Sequence, residues 1–420
     1  MKKLIITGYI ITSAFVRIWG QPDTISLIQC LKSAQQNAVI NAQYQVIEDI
    51  AEMKIANTRA TNLPSLSAYG KAWYQSDAIT VVNPTGPGLE IDRFQYNTGV
   101  EADQKLYGGS LAKRSRDLEL SNRESEYYRI ETDKYQLNTQ VSDLFFKTLL
   151  LQKNKEILQL KDQVLEERVR EMESAYQNGI IRKNDLDKLK AEVLLLRQQE
   201  IELEKLFQQN IATLTILTGI VSSGDPALIV EESILQIEET LRPEYAYFEA
   251  ESKKMENLAR VKKANILPKL YAYGQVGYSY PGLNFFENEA DYYYIVGAKL
   301  AWTIFDWNQS GREAEIMRKQ KELVESRKDD FNQKLSISLD REYIEQEKLR
   351  EIIAMDETII GQRELITRGS ENSLANGVIT STDYLEDLNA EIKARVDCET
   401  HKLQLQNSKV RQKLLKGIEL

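Results

Sequence analysis

The residues best placed to do chemistry are acids that follow two similar turns. Each turn has an Asn-Gly pair, and an aspartate stands six residues after the glycine. The residues are Asn178, Gly179 and Asp185 in the first segment and Asn376, Gly377, Asp383 and Glu386 in the second. Glycine readily adopts the left-handed conformation that ends a helix, and acids are favoured in the first turn of the next helix. Each segment therefore predicts a helical hairpin whose tip presents carboxylates, which attract cations and repel one another.

Residue patterns typical of catalysis or metal binding are absent from the sequence. There is no glycine-rich phosphate loop, nucleophile elbow or zinc-ligand spacing. His401 stands in a helical stretch without another His or Cys nearby, and we expect it on the surface. Cys30 and Cys398 are expected to be inert helical thiols, with one disulfide between them as the alternative. We therefore predict a protein that is not an enzyme and needs no cofactor or metal.

The composition narrows the class of protein and its partners. Apolar residues make up 42% and charged residues 28% of the chain, which is too apolar for a disordered protein. The net charge is −9 and no run of Lys or Arg occurs. Because binding to nucleic acid depends largely on neutralising phosphates, we expect no nucleic acid partner.

The N-terminus has the pattern of a secretory signal. Lys2 and Lys3 precede a mostly apolar stretch from Leu4 to Val16, and small or apolar residues lead to a cleavage site before Gln21. We predict a signal peptide over residues 1–20, with an uncleaved N-terminal anchor as the alternative. No later segment reaches the roughly 18 uninterrupted apolar residues of a membrane helix. If this exported chain enters a membrane, it must do so as strands.

The chain contains an internal repeat. The segment 63–70, LPSLSAYG, recurs as 267–274, LPKLYAYG, and the two Asn-Gly turns recur at a similar separation. We predict a first repeat over 21–219, a connection over 220–241 and a second repeat over 242–420. Each repeat reads as helix, strand, strand, very long helix, tight turn and helix.

Very long helices must position the two tips. Neither Gly nor Pro occurs between Gly109 and Gly179, which predicts about 67 residues of helix, or about 100 Å. The run 309–375 is similar in length. Adjacent rows of apolar residues recur every seven positions in both runs, so each helix is expected to lie between two neighbours, as in a ring of helices. The flanking helices are predicted to stack end to end beside the long ones, and they cover about 24–60, 184–218, 242–265 and 381–416.

Candidate strands lie between these helices. Segments 94–105 and 294–304 alternate apolar and polar residues, as membrane-spanning strands do, and segments 65–75 and 270–280 alternate less cleanly. Aromatic residues concentrate in the same regions, although a soluble sheet would also be rich in them. Four strands cannot close a barrel, and an open edge in lipid leaves backbone groups unpaired. The strands are therefore expected to be shared among subunits, with twelve strands from three copies or a narrow eight from two.

Over about residues 24–416, the chain resembles the TolC-type family of outer membrane efflux proteins. The resemblance rests on the duplication, the Leu-Pro-x-Leu segments, the Asn-Gly turns and Leu217-Thr218-Gly219 at the end of the first repeat. It implies a mainly α-helical homotrimer with an α-barrel in the periplasm and a shared twelve-stranded β-barrel in outer membrane lipid. The connection and the C-terminal end would form an equatorial belt.

The resemblance also implies a function. The protein would be the passive exit duct of a tripartite efflux or type I secretion system, served by an inner-membrane pump and a periplasmic adaptor. The competing interpretations are a periplasmic coiled-coil adaptor or scaffold without a membrane barrel, and a secreted hydrolase. The scaffold would not explain the strands, and the hydrolase lacks an active-site motif.

Site residues follow from the same resemblance. Asp383 matches an acid that rings the periplasmic aperture, and Glu386 matches a second such acid. The alternative is that both only stabilise a helix N-terminus. Ile379 and Leu374 stand where an Arg and a Tyr of the closing network are expected, so the same lock is not implied. The adaptor would dock at turns 176–186 and 374–385, at the following residues: Asn178, Gly179, Asp185, Asn376 and Gly377.

Overall fold

The computed structural model describes residues 24–81, 88–222 and 225–418, so the predicted signal peptide lies outside the described residues. Its helices are α1 (Leu27–Asn37), α2 (Ala42–Ala60), α3 (Leu111–Gln177), α4 (Lys183–Thr218), α5 (Pro243–Ala264), α6 (Gln309–Ala375) and α7 (Ser381–Lys416). Its strands are β1 (Thr24–Ser26), β2 (Ser65–Tyr74), β3 (Ile79–Val81), β4 (Leu89–Ile91), β5 (Phe94–Tyr107), β6 (Ala227–Ile229), β7 (Lys269–Tyr280) and β8 (Asp291–Ala301). Short 3-10 turns cover Val39–Asn41, Glu232–Gln236 and Phe285–Glu287.

The two long helices agree with the prediction. Helices α3 and α6 each have 67 residues, and each ends at an Asn-Gly turn, where the glycine has a positive φ. Helix α4 and the broken pair α1 and α2 pack along α3, whereas α5 and α7 pack along α6. Helix α3 also contacts α5 and α7, which joins the two halves of the chain. Each long helix therefore lies between neighbours, as its adjacent apolar rows predicted.

The predicted continuous helix over 24–60 is wrong. Residues Thr24–Ser26 form strand β1, which pairs in parallel with β6 of the connecting segment. The backbone N–H of Gln29 donates to the Ser26 hydroxyl at 3.1 Å, which caps α1. The side chain of Asn41 donates to the carbonyls of Gln35 and Gln36 at 2.9 and 2.8 Å. These bonds satisfy the last carbonyls of α1, so the chain can turn before α2 begins.

The four longer strands form one antiparallel sheet in the order β2-β5-β7-β8. One face is apolar and exposed, and its large residues include Leu66, Val100, Val276, Tyr292, Tyr294, Val296 and Leu300. The register places every charged residue of these strands on the opposite face: Lys71, Glu101, Asp103, Lys105, Lys269, Asp291 and Lys299. The sheet is therefore two-faced in the way that separates lipid from water.

Strands β2 and β7 obey this alternation better than their sequences indicated. Ala68, Gly70, Ala72 and Gly274 occupy the apolar face, and such small residues hide the pattern in a sequence. Strand β8 begins at Asp291 and ends at Ala301, so the predicted boundaries at 294 and 304 are shifted. All four helix connections leave the sheet at one end, which we call the helix-side end.

Two apolar clusters hold the helices together. One lies where α1, α3, α4 and the C-terminal part of α7 meet, and it includes Leu27, Phe145 and Leu414. The other lies between the two helical tips and includes Leu186, Leu374 and Tyr384. Both cysteines are free and buried, as inert thiols were expected to be. In the described part of the chain, no helix has the length and apolar character needed to cross a membrane.

Candidate functional site

The two predicted turns form the tips of the helical hairpins. At the end of α3, the N–H of Gly179 donates to the carbonyl of Tyr176 and the N–H of Ile180 donates to that of Ala175, both at 2.9 Å. The Asn178 side chain adds a bond of 2.9 Å to the carbonyl of Ser174. This is the Schellman arrangement, which satisfies the last carbonyls of a helix when a glycine follows its cap.

The second tip repeats this arrangement. The N–H of Gly377 donates to Leu374 at 2.9 Å and that of Val378 to Ser373 at 2.8 Å. The side chain of Asn376 bonds the carbonyl of Asn372 at 2.8 Å. Gly179 and Gly377 have φ of +74° and +70°, yet an added Cβ would meet nothing within 4 Å at either. Backbone conformation requires glycine here, and the space in front of both tips is open.

Asp383 stabilises the start of α7. Its carboxylate accepts the backbone N–H of Thr380 at 2.8 Å and the Thr380 hydroxyl at 2.7 Å, and its own N–H donates to that hydroxyl at 3.3 Å. The Thr380 hydroxyl bond, with the backbone bond, holds the pKa of the exposed Asp383 carboxyl below its ordinary 3.8. Within one chain, Asp383 is therefore a helix-capping acid that stays charged at neutral pH.

The other candidate acids differ from Asp383. Asp185 occupies the corresponding place in α4, but the N-cap there is Arg182, whose side chain makes no capping bond. Asp185 is half-buried, whereas Glu386 is exposed one turn into α7. The two tips are thus alike in their glycine turns and unlike in their acids.

The structure brings the two tips together. The Lys188 ammonium donates to the Thr382 hydroxyl at 2.6 Å, which joins the N-terminal parts of α4 and α7. A groove of about 380 Å³ separates the turns, and Ile181 and Ile379 are among its lining residues. At its rim, Ile180 and Val378 are 66% and 75% exposed, so an apolar side chain stands in open space on each tip. Such a pair is suited to contact with another protein.

The two positions where lock residues were expected contribute to the core between the tips. Leu374 is buried, and Ile379 packs partly against the same apolar cluster. Sequence reasoning missed Arg168, whose side chain is only 11% exposed and which forms ion pairs with Glu171 and Glu371. Its guanidinium carbon lies 5.5 Å from the centre of the buried Tyr384 ring. The sequence contained a signal for the burial of Arg168. It follows Leu165, a residue of the apolar rows that recur every seven positions in α3, by three residues, so both lie on the same helix face.

The histidine of the chain lies beside an acid of α6. His401 lies at the surface with 28% of its side chain exposed, and its Nδ1 lies 2.6 Å from Oδ2 of Asp356 in α6. Among the residues that the structure describes, no group of three or more His, Cys, Asp or Glu could hold a metal ion.

A polar network crosses the charged face of the sheet, with one residue from each strand. The Tyr293 hydroxyl donates to Asn97 at 2.8 Å, and the Gln275 amide donates to Tyr293 at 3.0 Å and also to Tyr69. Tyr69 and Tyr293 bond through their hydroxyls. The network therefore ties together all four strands on the face that carries the charges.

The chain matches a known family model. The model described as outer membrane efflux protein matches residues 31–220, which span α1 to the end of α4. This stretch is an outer membrane efflux protein domain. The resemblance to the TolC-type family is thereby confirmed, together with the predicted outer membrane location and role in efflux. The family description names transport and not catalysis. None of the curated proteins matches the chain.

Solved structures of membrane proteins have the same fold as this chain. CusC matches with a TM-score of 0.70 at 13% identity, covering 94% of this chain and 92% of that chain. The CmeC outer membrane channel of Campylobacter jejuni matches with 0.65 at 14% identity, covering 94% and 86%. The outer membrane protein VceC of Vibrio cholerae matches with 0.66 at 13% identity, covering 93% and 96%. At these identities the similarity establishes the fold alone.

Proposed function

We propose that three copies of this chain close a twelve-stranded barrel in the outer membrane and continue it as a helical tunnel in the periplasm. The assembly is a passive exit duct of a tripartite efflux or type I secretion system. The observation that carries the proposal is the two-faced sheet, whose charged residues all lie on one side. The apolar side faces lipid and the charged side faces the lumen.

The open edges of the sheet support pooling of strands. Within one chain, β2 and β8 each pair on one side only among the described residues. An unpaired edge in hydrocarbon costs several kcal/mol per backbone group. Pairing β2 of one copy with β8 of the next removes both edges, and three copies give a barrel wide enough for an aqueous lumen.

The helices continue the duct on the other side of the membrane surface. In each copy, two long helices and two stacked rows of shorter helices give four helical positions, so three copies give twelve. The halves 21–219 and 242–420 act as tandem repeats, and the connection 220–241 with the C-terminal end forms an equatorial belt. Contacts between these segments support the belt: Glu239 pairs with Ile418, and the Lys413 ammonium donates to the carbonyl of Ile237 at 2.9 Å.

The tips form the periplasmic aperture and the adaptor-docking site. Three copies each of Asp383 and Glu386 ring the opening, where the lowered pKa of Asp383 keeps its carboxylates charged. An adaptor fits over the open space in front of Gly179 and Gly377, and the exposed Ile180 and Val378 supply apolar contact. An inner-membrane pump supplies the energy for transport.

Membrane extraction tests the proposal against the coiled-coil scaffold. A barrel stays with outer membranes through high-salt and alkaline carbonate washes and is released by detergent. A scaffold leaves the membrane in either wash, because only surface contacts hold it there. The exposed apolar face of the sheet favours the barrel, since a periplasmic scaffold would leave that face in water. Recovery of the chain in the carbonate supernatant would refute the duct.

A further inference from the structure

Three lysines gather at the helix-side end of the sheet, and we call them the lysine belt: Lys105, Lys269 and Lys299. In the strand register, Tyr271 of β7 pairs with Lys105 of β5 on one side and with Lys299 of β8 on the other. Neighbouring strands lie about 4.8 Å apart, so the Cα atoms of Lys105 and Lys299 are about 10 Å apart at one level. Lys269 precedes Tyr271 by two residues, so it lies on the same face.

The lysine belt faces away from the apolar side of the sheet. Lys105 and Lys269 are half-buried and Lys299 is exposed. Their neighbours Leu270 and Leu300 point to the opposite, apolar face. In the closed barrel the three ammonium groups therefore face the lumen at the level where strands give way to helices.

Acids do not balance the lysine belt. The nearest acid on this face is Asp103, two residues before Lys105, and among the described residues none of the three lysines has an ion pair with an acid of the same chain. Closure of the barrel adds no acid beside the lysine belt. A neighbouring copy would contribute strand β2, and β2 contains no Asp or Glu. Among the strand residues of this face, three copies thus place nine lysines near the helix-side end, with three copies of Asp103 beside them and three of Glu101 two residues further along β5, in a chain whose net charge is −9.

We infer that the lysine belt makes this level of the lumen attract anions, and that cargo bearing phosphate or carboxylate groups gains passage by it. The inference rests on the proposed trimeric barrel. A lumen with low-dielectric walls focuses the field of the charges that line it. The duct then has opposite charges at two levels, with carboxylates at the tips and ammonium groups at the helix-side end of the barrel.

Block of single channels by inorganic tripolyphosphate tests this inference. Purified trimers are inserted in planar bilayers, and the anion is added from the barrel side. Changing Lys105, Lys269 and Lys299 together to Gln should weaken the block by roughly tenfold, because the attraction is electrostatic. The matched control changes the same three lysines to Arg, which keeps the charge and should keep the block.

The outcomes separate the inference from the proposed function. If the wild-type protein forms no channels at all, the duct itself is refuted. If it forms channels and the Gln variant is blocked as strongly as the Arg variant, the lysine belt is refuted while the duct stands. If the triple Gln variant does not assemble, Lys299→Gln alone serves, since this lysine is exposed and makes no hydrogen bond or ion pair with the described residues. That variant should weaken the block by about two- to threefold, and an unchanged block would refute the belt.

Discussion

The hydroxyl oxygens of Tyr69 and Tyr293 lie 2.5 Å apart, although β5 and β7 separate their strands. Both rings lie across glycines of neighbouring strands. An ideal Cβ on Gly99 would come within 2.7 Å of the Tyr69 hydroxyl, and one on Gly277 within 2.6 Å of Cζ of Tyr293. The tyrosines therefore lie flat along the charged face of the sheet instead of projecting from it, and the glycines make this possible.

Gly277→Val should narrow the lumen. The new side chain would displace the Tyr293 ring from the wall and break its hydroxyl bonds, so the ring would project into the channel. We expect a lower single-channel conductance in planar bilayers with trimers retained. Gly274→Val is the matched control, because this glycine lies on the apolar face of the same strand with nothing within 4 Å of its Cβ. Equal conductance in the two variants would contradict this account of the wall.

Removing the charges of the aperture should weaken cation preference. Asp383→Asn with Glu386→Gln leaves an oxygen that can still accept the Thr380 bonds while it abolishes the carboxylate charges. The reversal potential under a salt gradient should shift towards that of a non-selective pore. Asp185→Asn, at the corresponding place in the first hairpin, is the control and should change little. A double variant that kept the wild-type reversal potential would refute the ring.

The pH dependence of this preference should follow from the Thr380 bond. Because the pKa of Asp383 is lowered, its carboxylate and its capping of α7 persist below the ordinary 3.8 and are lost only as pH falls through the lowered value. Thr380→Ala removes the main cause of the shift. In a Glu386→Gln background, the loss of cation preference on acidification should then begin at a higher pH than with Thr380. Identical titration curves would show that the bond does not tune Asp383.

Docking should depend on the apolar residues at the tips. Ile180→Asp with Val378→Asp places charges where an adaptor would bury the tips, and burying an unpaired charge is strongly unfavourable. Export in cells should fall and co-purification with the adaptor should be lost, while trimers remain. Ile337→Asp, at another exposed apolar position on α6, is the control. Normal export by the double variant would place docking elsewhere.

The packing of the segment Leu414–Ile418 against α3 should depend on one tyrosine. The Tyr135 hydroxyl donates to the carbonyl of Leu414 at 2.6 Å and accepts the N–H of Ile418 at 3.1 Å, which holds the C-terminus against α3. Tyr135→Phe leaves two buried backbone groups without this partner and should cost about 1–3 kcal/mol. Thermal unfolding followed by helical circular dichroism should show a lower midpoint. Tyr343→Phe, on the exposed face of α6, is the control and should leave the unfolding midpoint unchanged. Equal midpoints for the Tyr135→Phe and Tyr343→Phe variants would contradict the role of Tyr135.

Long-range periodicity made much of this fold predictable. The run without Gly or Pro between Gly109 and Gly179 predicted both ends of α3 to within about two residues. It could do so because Gly and Pro end a helix more reliably than other residue types. The strand Thr24–Ser26 at the start of the segment 24–60 was not predictable, since it depends on β1 pairing with β6 some 200 residues away. Local secondary-structure propensity carries no information about a contact between residues so far apart in the chain.

The site was predictable in its backbone and less so in its side chains. Gly179 and Gly377 adopt a left-handed backbone conformation, which could be predicted because glycine is the residue type that favours it. Arg168 looked like one of many helical arginines, because its burial depends on α6 and α7 packing against α3. Ile379 and Leu374 could be recognised as departures from the family pattern, yet their place in the core between the tips appeared only in three dimensions.

Native mass spectrometry of detergent-extracted protein tests whether the strands of several chains form one barrel. The chain has a mass of 48.3 kDa before the predicted signal peptide is removed. The account predicts a single species with the mass of three processed chains, and cysteines introduced on β2 and β8 should cross-link it into covalent dimers and trimers. A stable monomer in detergent, with β2 and β8 cross-linking only within one chain, would contradict the shared barrel.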